Sequence, residues 1–231
     1  MLDAASASSG SPSPKPVYFR YLTLMSYHVF LQEGVDAAVY EVGMGGEFDS
    51  TNIVDHPAVT GISTLGIDHV AVLGETIEEI AWHKAGIQKE GVPSFTVKQI
   101  PAALKVIEVR AREKNVESLT ILKQDPRLKS VQIRPNAPFQ HLNATLAVAL
   151  AETALKKLDP TFEIRESFPE EFVNGLENVV WRGRCEVKRE GHLTWYLDGA
   201  HTQDSIAIAG KWFSDESLEK YTILTYILAR R

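Results

Sequence analysis

A single cysteine, Cys185, stands in 231 residues, so no disulfide can form within the chain, which fits a reducing compartment. Basic residues form no block. The 24 Lys and Arg are outnumbered by 30 Asp and Glu, for a net charge of -6 and a pI of about 5.7, a balance that leaves no footprint for nucleic acid or an anionic membrane. Long apolar runs are missing too. The longest, Tyr221 to Ala229, falls far short of the roughly 20 residues a membrane-spanning helix needs. The opening MLDAASASSGSPSPKP has no apolar core of signal-peptide type and no arginine before Arg20, which argues against a mitochondrial presequence. It reads as a disordered leader over residues 1–16. No internal repeat is present. Nor is there a G-x-x-x-x-G-K-S/T loop, the usual phosphate grip of an ATP-dependent α/β enzyme: Gly210-Lys211 is followed by Trp212, and GMGGEF at 43–48 has no lysine.

What remains is ordinary globular material, 44% hydrophobic and 23% charged, enough for a sizeable core. YFRYLTLMSYHVFLQ, from Tyr18 to Gln32, reads as a mostly buried helix stopped by Gly34. VDAAVYEVG follows as a short strand with apolar residues on both faces, as in a helix-covered parallel sheet. A glycine-rich turn leads to a second strand around Ala58–Thr64. Thr76 opens a helix, with Glu79 at capping-box spacing. A strand VPSFTV, a helix from about Pro101 to Lys114 and a strand SLTIL continue the alternation. After Pro138 a long helix runs to about Leu158, a loop reaches Val180, and EVKREGHLTWYLD reads as a hairpin turning near Glu190–Gly191. The expected class is α/β with an open, mostly parallel sheet.

Ligands in such sheets sit beyond the C-terminal ends of the strands, so the residues just after strands matter most. Glu41 ends the first expected strand. It either caps a backbone amide or binds a cation, since a carboxylate there is costly unless partnered. Asp68 and His69 follow the second strand. A lone histidine is commonly a packing or surface residue, yet neutral imidazole is also a good metal ligand. Lys84 lies on the helix opened by Thr76, where most lysines are simply solvated. Asp198, Gly199, Ala200 and His201 form a strand-to-helix turn. Such a turn serves as a connector, or holds an anion on exposed helix N–H groups.

Four segments, YFRYLTLMSYHVFL, EVGMGGEFDSTN, LGIDHVAVLGETIEEIAWHKAGI and YLDGAHT, stand in this order. Together they resemble the folylpolyglutamate synthases, particularly eukaryotic ones, of the Mur-ligase-like superfamily, over about Pro16 to Phe213. The resemblance implies a P-loop-type ATPase domain joined to a smaller Rossmann-like C-terminal domain. It implies that ATP phosphorylates the terminal carboxylate of a tetrahydrofolate (poly)glutamate and that the amine of L-glutamate attacks the acyl phosphate. Implied cofactors are ATP and Mg²⁺, with a monovalent cation as a further candidate. Glu41 matches the magnesium-binding glutamate of E-V-G-x-G-G and His69 the magnesium-binding histidine of L-G-x-D-H. Lys84 matches the lysine of K-A-G-I, carbamylated in related enzymes and ligating a second magnesium. His69 and Lys84 are thus the implied catalytic residues. Asn143 in NATLA, Arg184 in WRGRCE, and Asp198 and His201 in DGAH match nucleotide-contacting positions. A monomer is expected, in the cytoplasm or alternatively in mitochondria, with no nucleic-acid or membrane partner.

The family's phosphate-binding segment should precede Tyr18, where only the Ser/Pro-rich leader stands, and Phe139 replaces a histidine carried by many relatives. After Phe213 the resemblance fades. The expected layout is therefore a leader (1–16), a central ATPase domain without its phosphate-loop part (17–180), and the start of a C-terminal ligase domain (181–231). Two alternatives stay open. One is an inactive truncated paralogue or incomplete gene product. The other is a different amide ligase of the superfamily, such as dihydrofolate synthase.

Overall fold

A computed structural model describes residues 15–217. The apolar run Tyr221–Ala229 and nearly all of the leader lie outside them. In chain order the elements are α1 (Tyr18–Glu33), β1 (Thr60–Ile62), α2 (Val70–Leu73), α3 (Ile77–Ala85), β2 (Pro93–Val97) and α4 (Pro101–Glu113). These are followed by β3 (Ser118–Leu122), α5 (Pro138–Leu158), α6 (Glu170–Glu177), β4 (Glu186–Glu190), β5 (Leu193–Leu197) and α7 (Gln203–Ser217). The strands form a parallel sheet in the order β1-β2-β3 and an antiparallel β4-β5 hairpin. Thr60 pairs with Ser94, and Ser94 with Leu119. The alternation expected from the sequence is therefore present, with helices connecting parallel neighbours.

Local signals explain most boundaries. Thr76 Oγ1 accepts the Glu79 N–H at 3.2 Å while Glu79 Oε2 accepts the Thr76 N–H at 3.0 Å, a complete capping box that satisfies two otherwise orphaned donors. Proline opens both α4 and α5, where its fixed φ suits the first helical turn and its missing N–H costs nothing. Gly34 ends α1 in the left-handed region at φ 63°, its N–H bonded to Phe30 O. Apolar residues of α3, α4 and the sheet (Ile62, Ala85, Ile107) pack as one cluster. A second cluster is built from Leu128, Val131, Ile133, Ala144 and Val148.

Three expectations fail. VDAAVYEVG lies in no helix and in no sheet. A strand exists only where a neighbour supplies ladder hydrogen bonds, and no described residue supplies them to this stretch; Val39 is 94% exposed. The helix α1 is likewise not buried. Thr23 is its one buried residue, while Tyr18 and Leu31 are 78% and 79% exposed. Its contacts are local: Tyr40 stacks on Tyr27 and meets Phe30 edge-on, and Thr23 Oγ1 lies 2.9 Å from Ser50 Oγ. The stretch expected to be loop up to Val180 contains α6. Its Phe172, Val173 and Leu176 pack on the second core cluster, at the spacing of a helical apolar face.

Candidate active site

The loop after β1 is held in place by a residue of the loop after β2. Gln99, almost fully buried, donates from Nε2 to Ser63 O at 2.8 Å and accepts the Leu65 N–H on Oε1 at 3.0 Å. A buried amide satisfied at both ends is a rigid spacer, and it delivers Asp68 and His69 to the sheet's C-terminal edge. His69 takes a left-handed conformation, φ 53°, at the start of α2. Its backbone N–H donates to Asp68 Oδ1 at 2.7 Å, and its ring Nε2 lies 3.7 Å from Asp68 Oδ2. Burial pushes the Asp68 carboxyl up, but the His69 N–H and the neighbouring His69 and His201 rings outweigh it and hold it below the usual carboxylate range.

Lys84, near the end of α3, is half-buried. Burial lowers its pKa, and the nearby Asp68 charge opposes the shift in part. Among the described residues no hydrogen bond or ion pair satisfies its ammonium. Burial thus makes the neutral amine easier to reach than for a solvated lysine. The glycine-rich turn is pinned to the same helix. Glu47 donates its N–H to His83 O at 2.8 Å, and a β-carbon on Gly46 would meet that carbonyl at 2.7 Å. The Glu47 carboxylate is clamped by Arg110 and by Lys114 at 3.1 Å, and Arg110 lies over the Trp82 ring at 4.4 Å. This clamp was not legible in the sequence, since Glu47 and Arg110 lie far apart along the chain.

The structure therefore gathers Asp68, His69 and Lys84. Glu41 stays exposed on the unpaired 35–42 stretch, and no hydrogen bond or ion pair joins it to the others. Among the described residues no three His, Cys, Asp or Glu side chains converge as a metal site.

In the hairpin unit, Asp198 organises the turn after β5. Its Oδ1 accepts the Ala200 N–H at 2.8 Å and its Oδ2 the Cys185 N–H at 2.7 Å. The Arg184 guanidinium lies directly against Gly199, so the turn is a neighbour of this arginine, which lies in the junction between α6 and β4, residues 178–185. His201 extends from this turn. Its Nδ1 is 3.1 Å from Gly199 O and its Nε2 is 3.2 Å from Asp68 Oδ2. Just ahead of α7, the N–H groups of His201 and Thr202 donate to Ser205 Oγ at 3.1 and 2.9 Å. Ser205 was missed, although Thr202-x-x-Ser205 is a capping spacing. Asn143 is exposed in the first turns of α5 and donates to Gln140 Oε1 at 3.2 Å; no hydrogen bond or ion pair among the described residues joins it to the other site residues.

Over 207 residues the chain is 64% identical to the folylpolyglutamate synthase of Neurospora crassa, a match covering 89% of this chain and 39% of that enzyme. The chain is similar to the folylpolyglutamate synthases across nine tenths of its length. It spans about two fifths of the length of that curated relative. No protein-family model matches. Its fold is that of the L. casei enzyme, FPGS: the apo form superposes with a TM-score of 0.76 at 26% identity, over 91% of this chain and 55% of that one. A complex of FPGS with AMPPCP and folate gives the same TM-score of 0.76 at 26% identity.

Proposed function

We propose that this chain is part of an ATP-dependent ligase that adds L-glutamate to the γ-carboxylate of tetrahydrofolate (poly)glutamates through an acyl phosphate. The observation that carries the reading is the 64% identity to a folylpolyglutamate synthase across nine tenths of the chain. Nucleotide and folate as ligands are supported by the FPGS complex with AMPPCP and folate, AMPPCP being an ATP analogue. The division into an ATPase part up to residue 180 and a C-terminal ligase part beyond it belongs to the same proposal.

Mg²⁺ fits these residues in chemical type. It keeps several waters and takes one or two protein carboxylates together with phosphate oxygens. Glu41 and His69 would supply protein donors, and Lys84 an anionic oxygen once its amine has added to CO₂ with loss of a proton. When bound, the ion neutralises phosphate charge and aligns the reacting oxygens. The half-buried, unpartnered state of Lys84 is the local feature that supports this role. Arg184, beside the Asp198–His201 turn, would meet the nucleotide from the hairpin unit. Asn143 would meet it from α5.

The test is a chimera in which this chain replaces the matching segment of the Neurospora enzyme. Glutamate-dependent ADP release with tetrahydrofolate is expected, and Lys84→Ala or His69→Ala should abolish it. A folded chimera without ADP release would overturn the reading.

A further inference from the structure

Asp68 faces bases from three directions: His69 beside it in the chain, Lys84 from α3, and His201 from beyond the 178–185 junction. The last contact spans 133 residues of sequence. Packing between elements is otherwise concentrated within each unit, and the junction segment itself is exposed, Val180 and Trp181 by 68% and 62%. His201 is oriented for the task, because its other ring nitrogen is held at 3.1 Å by Gly199 O. The turn that carries it is fixed in turn by Asp198 and Ser205.

We propose that Asp68 is a positioning residue: by holding His201 across the junction, it seats the Asp198–His201 turn over the loop and helix that carry His69 and Lys84. The pair thus sets the closed arrangement of the two units. Its role in ligation rests on the function proposed above. The contact between Asp68 and His201 does not depend on that function.

Trypsin reads the arrangement directly, because Arg182 and Arg184 lie in the junction. Cleavage there is compared, in the full 231-residue chain, with cleavage at Arg165, an exposed side chain of the sheet unit. For a pair this exposed, Asp68→Asn should raise the junction-to-Arg165 ratio by about threefold, and His201→Gln by the same factor. The double variant should add nothing further, and the exchanged pair D68H/H201D should restore slow cleavage, a rescue that a merely structural aspartate would not show. An unchanged ratio in Asp68→Asn, or additive effects, overturns the proposal. Should Asp68→Asn unfold the chain, seen as a parallel rise at Arg165, the exposed His201→Gln decides alone. AMPPCP forms a separate arm. Slower junction cleavage in the wild type, lost in Asp68→Asn, supports the role in ligation. No protection in the wild type counts against the nucleotide reading, while the nucleotide-free ratios still judge the pair.

Discussion

Arg184 and Gly199 are in such close contact that a β-carbon at position 199 would collide with the guanidinium Nη1. The collision partner is the far end of an exposed, flexible side chain, so the fold should tolerate Gly199→Ala while Arg184 moves away. We expect its melting temperature to stay within about 2 °C of wild type. In the Neurospora chimera it should weaken AMPPCP binding about as much as Arg184→Ala does. Calorimetric titration checks this, and unchanged affinity in Gly199→Ala would separate Arg184 from the nucleotide.

Gly86 presents the opposite case. A β-carbon there would fall 2.5 Å from the Glu47 Cα, and backbone cannot swing aside. Gly86→Ala should destabilise the chain by about 1–3 kcal/mol, the usual cost of overpacking. Urea denaturation measures it, and a loss below about 0.5 kcal/mol would show that the Glu47 clamp gives way freely.

Cys185 should be an inert thiol. Burial and the adjacent Asp198 carboxylate push its pKa up to about 12. The native state thus favours the protonated form, so this contribution to stability is complete below the unfolded thiol's ordinary pKa. It declines as pH rises from there toward about 12. Alkylation by iodoacetamide at pH 8 should be much slower in the native chain than in urea, and Asp198→Asn should speed it. Equal native and denatured rates would contradict the assignment.

Lys84 holds a partly desolvated charge that no hydrogen bond or ion pair among the described residues satisfies; burial lowers its pKa and the nearby Asp68 charge opposes this only in part. Between its native pKa and the ordinary lysine value, the unfolded chain binds more protons than the native one, so stability should rise with pH in that window. Lys84→Met removes the desolvated charge at little change in volume. It should raise the melting temperature at pH 7 by about 1–2 °C while abolishing ADP release in the chimera. A marked fall in melting temperature would mean that the ammonium has a stabilising partner.

The 35–42 stretch and α1 leave apolar surface open, with Val39 94% exposed on a segment outside the sheet. Such an edge invites pairing with another chain. The isolated 231-residue chain should therefore bind a hydrophobic dye and self-associate, and Val39→Lys should reduce both. The same chain carries no G-x-x-x-x-G-K-S/T sequence and should show no glutamate-dependent ADP release alone. Light scattering that finds a monodisperse monomer would refute the first expectation, and turnover the second.

The sequence by itself determined the features whose hydrogen bonds close within a few residues. The Thr76–Glu79 capping box, the proline-opened helices α4 and α5, the Gly34 stop and the β4–β5 hairpin are local. Their residues carry the instruction whatever surrounds them. The order of glycine-, histidine- and lysine-bearing segments likewise carries the resemblance to folylpolyglutamate synthases without coordinates. Tertiary structure decided everything that needs a distant partner. VDAAVYEVG has the composition of a strand but gains no ladder, because pairing is supplied by a neighbour and not by propensity. Glu47 meets Arg110 across 63 residues, Gln99 spaces the loop that ends in His69 across 36, and Asp68 reaches His201 across 133. Spacings of that size carry no periodicity that a reader of the chain could use. They arise only when parallel strands and a returning turn bring separated loops to one edge of the sheet.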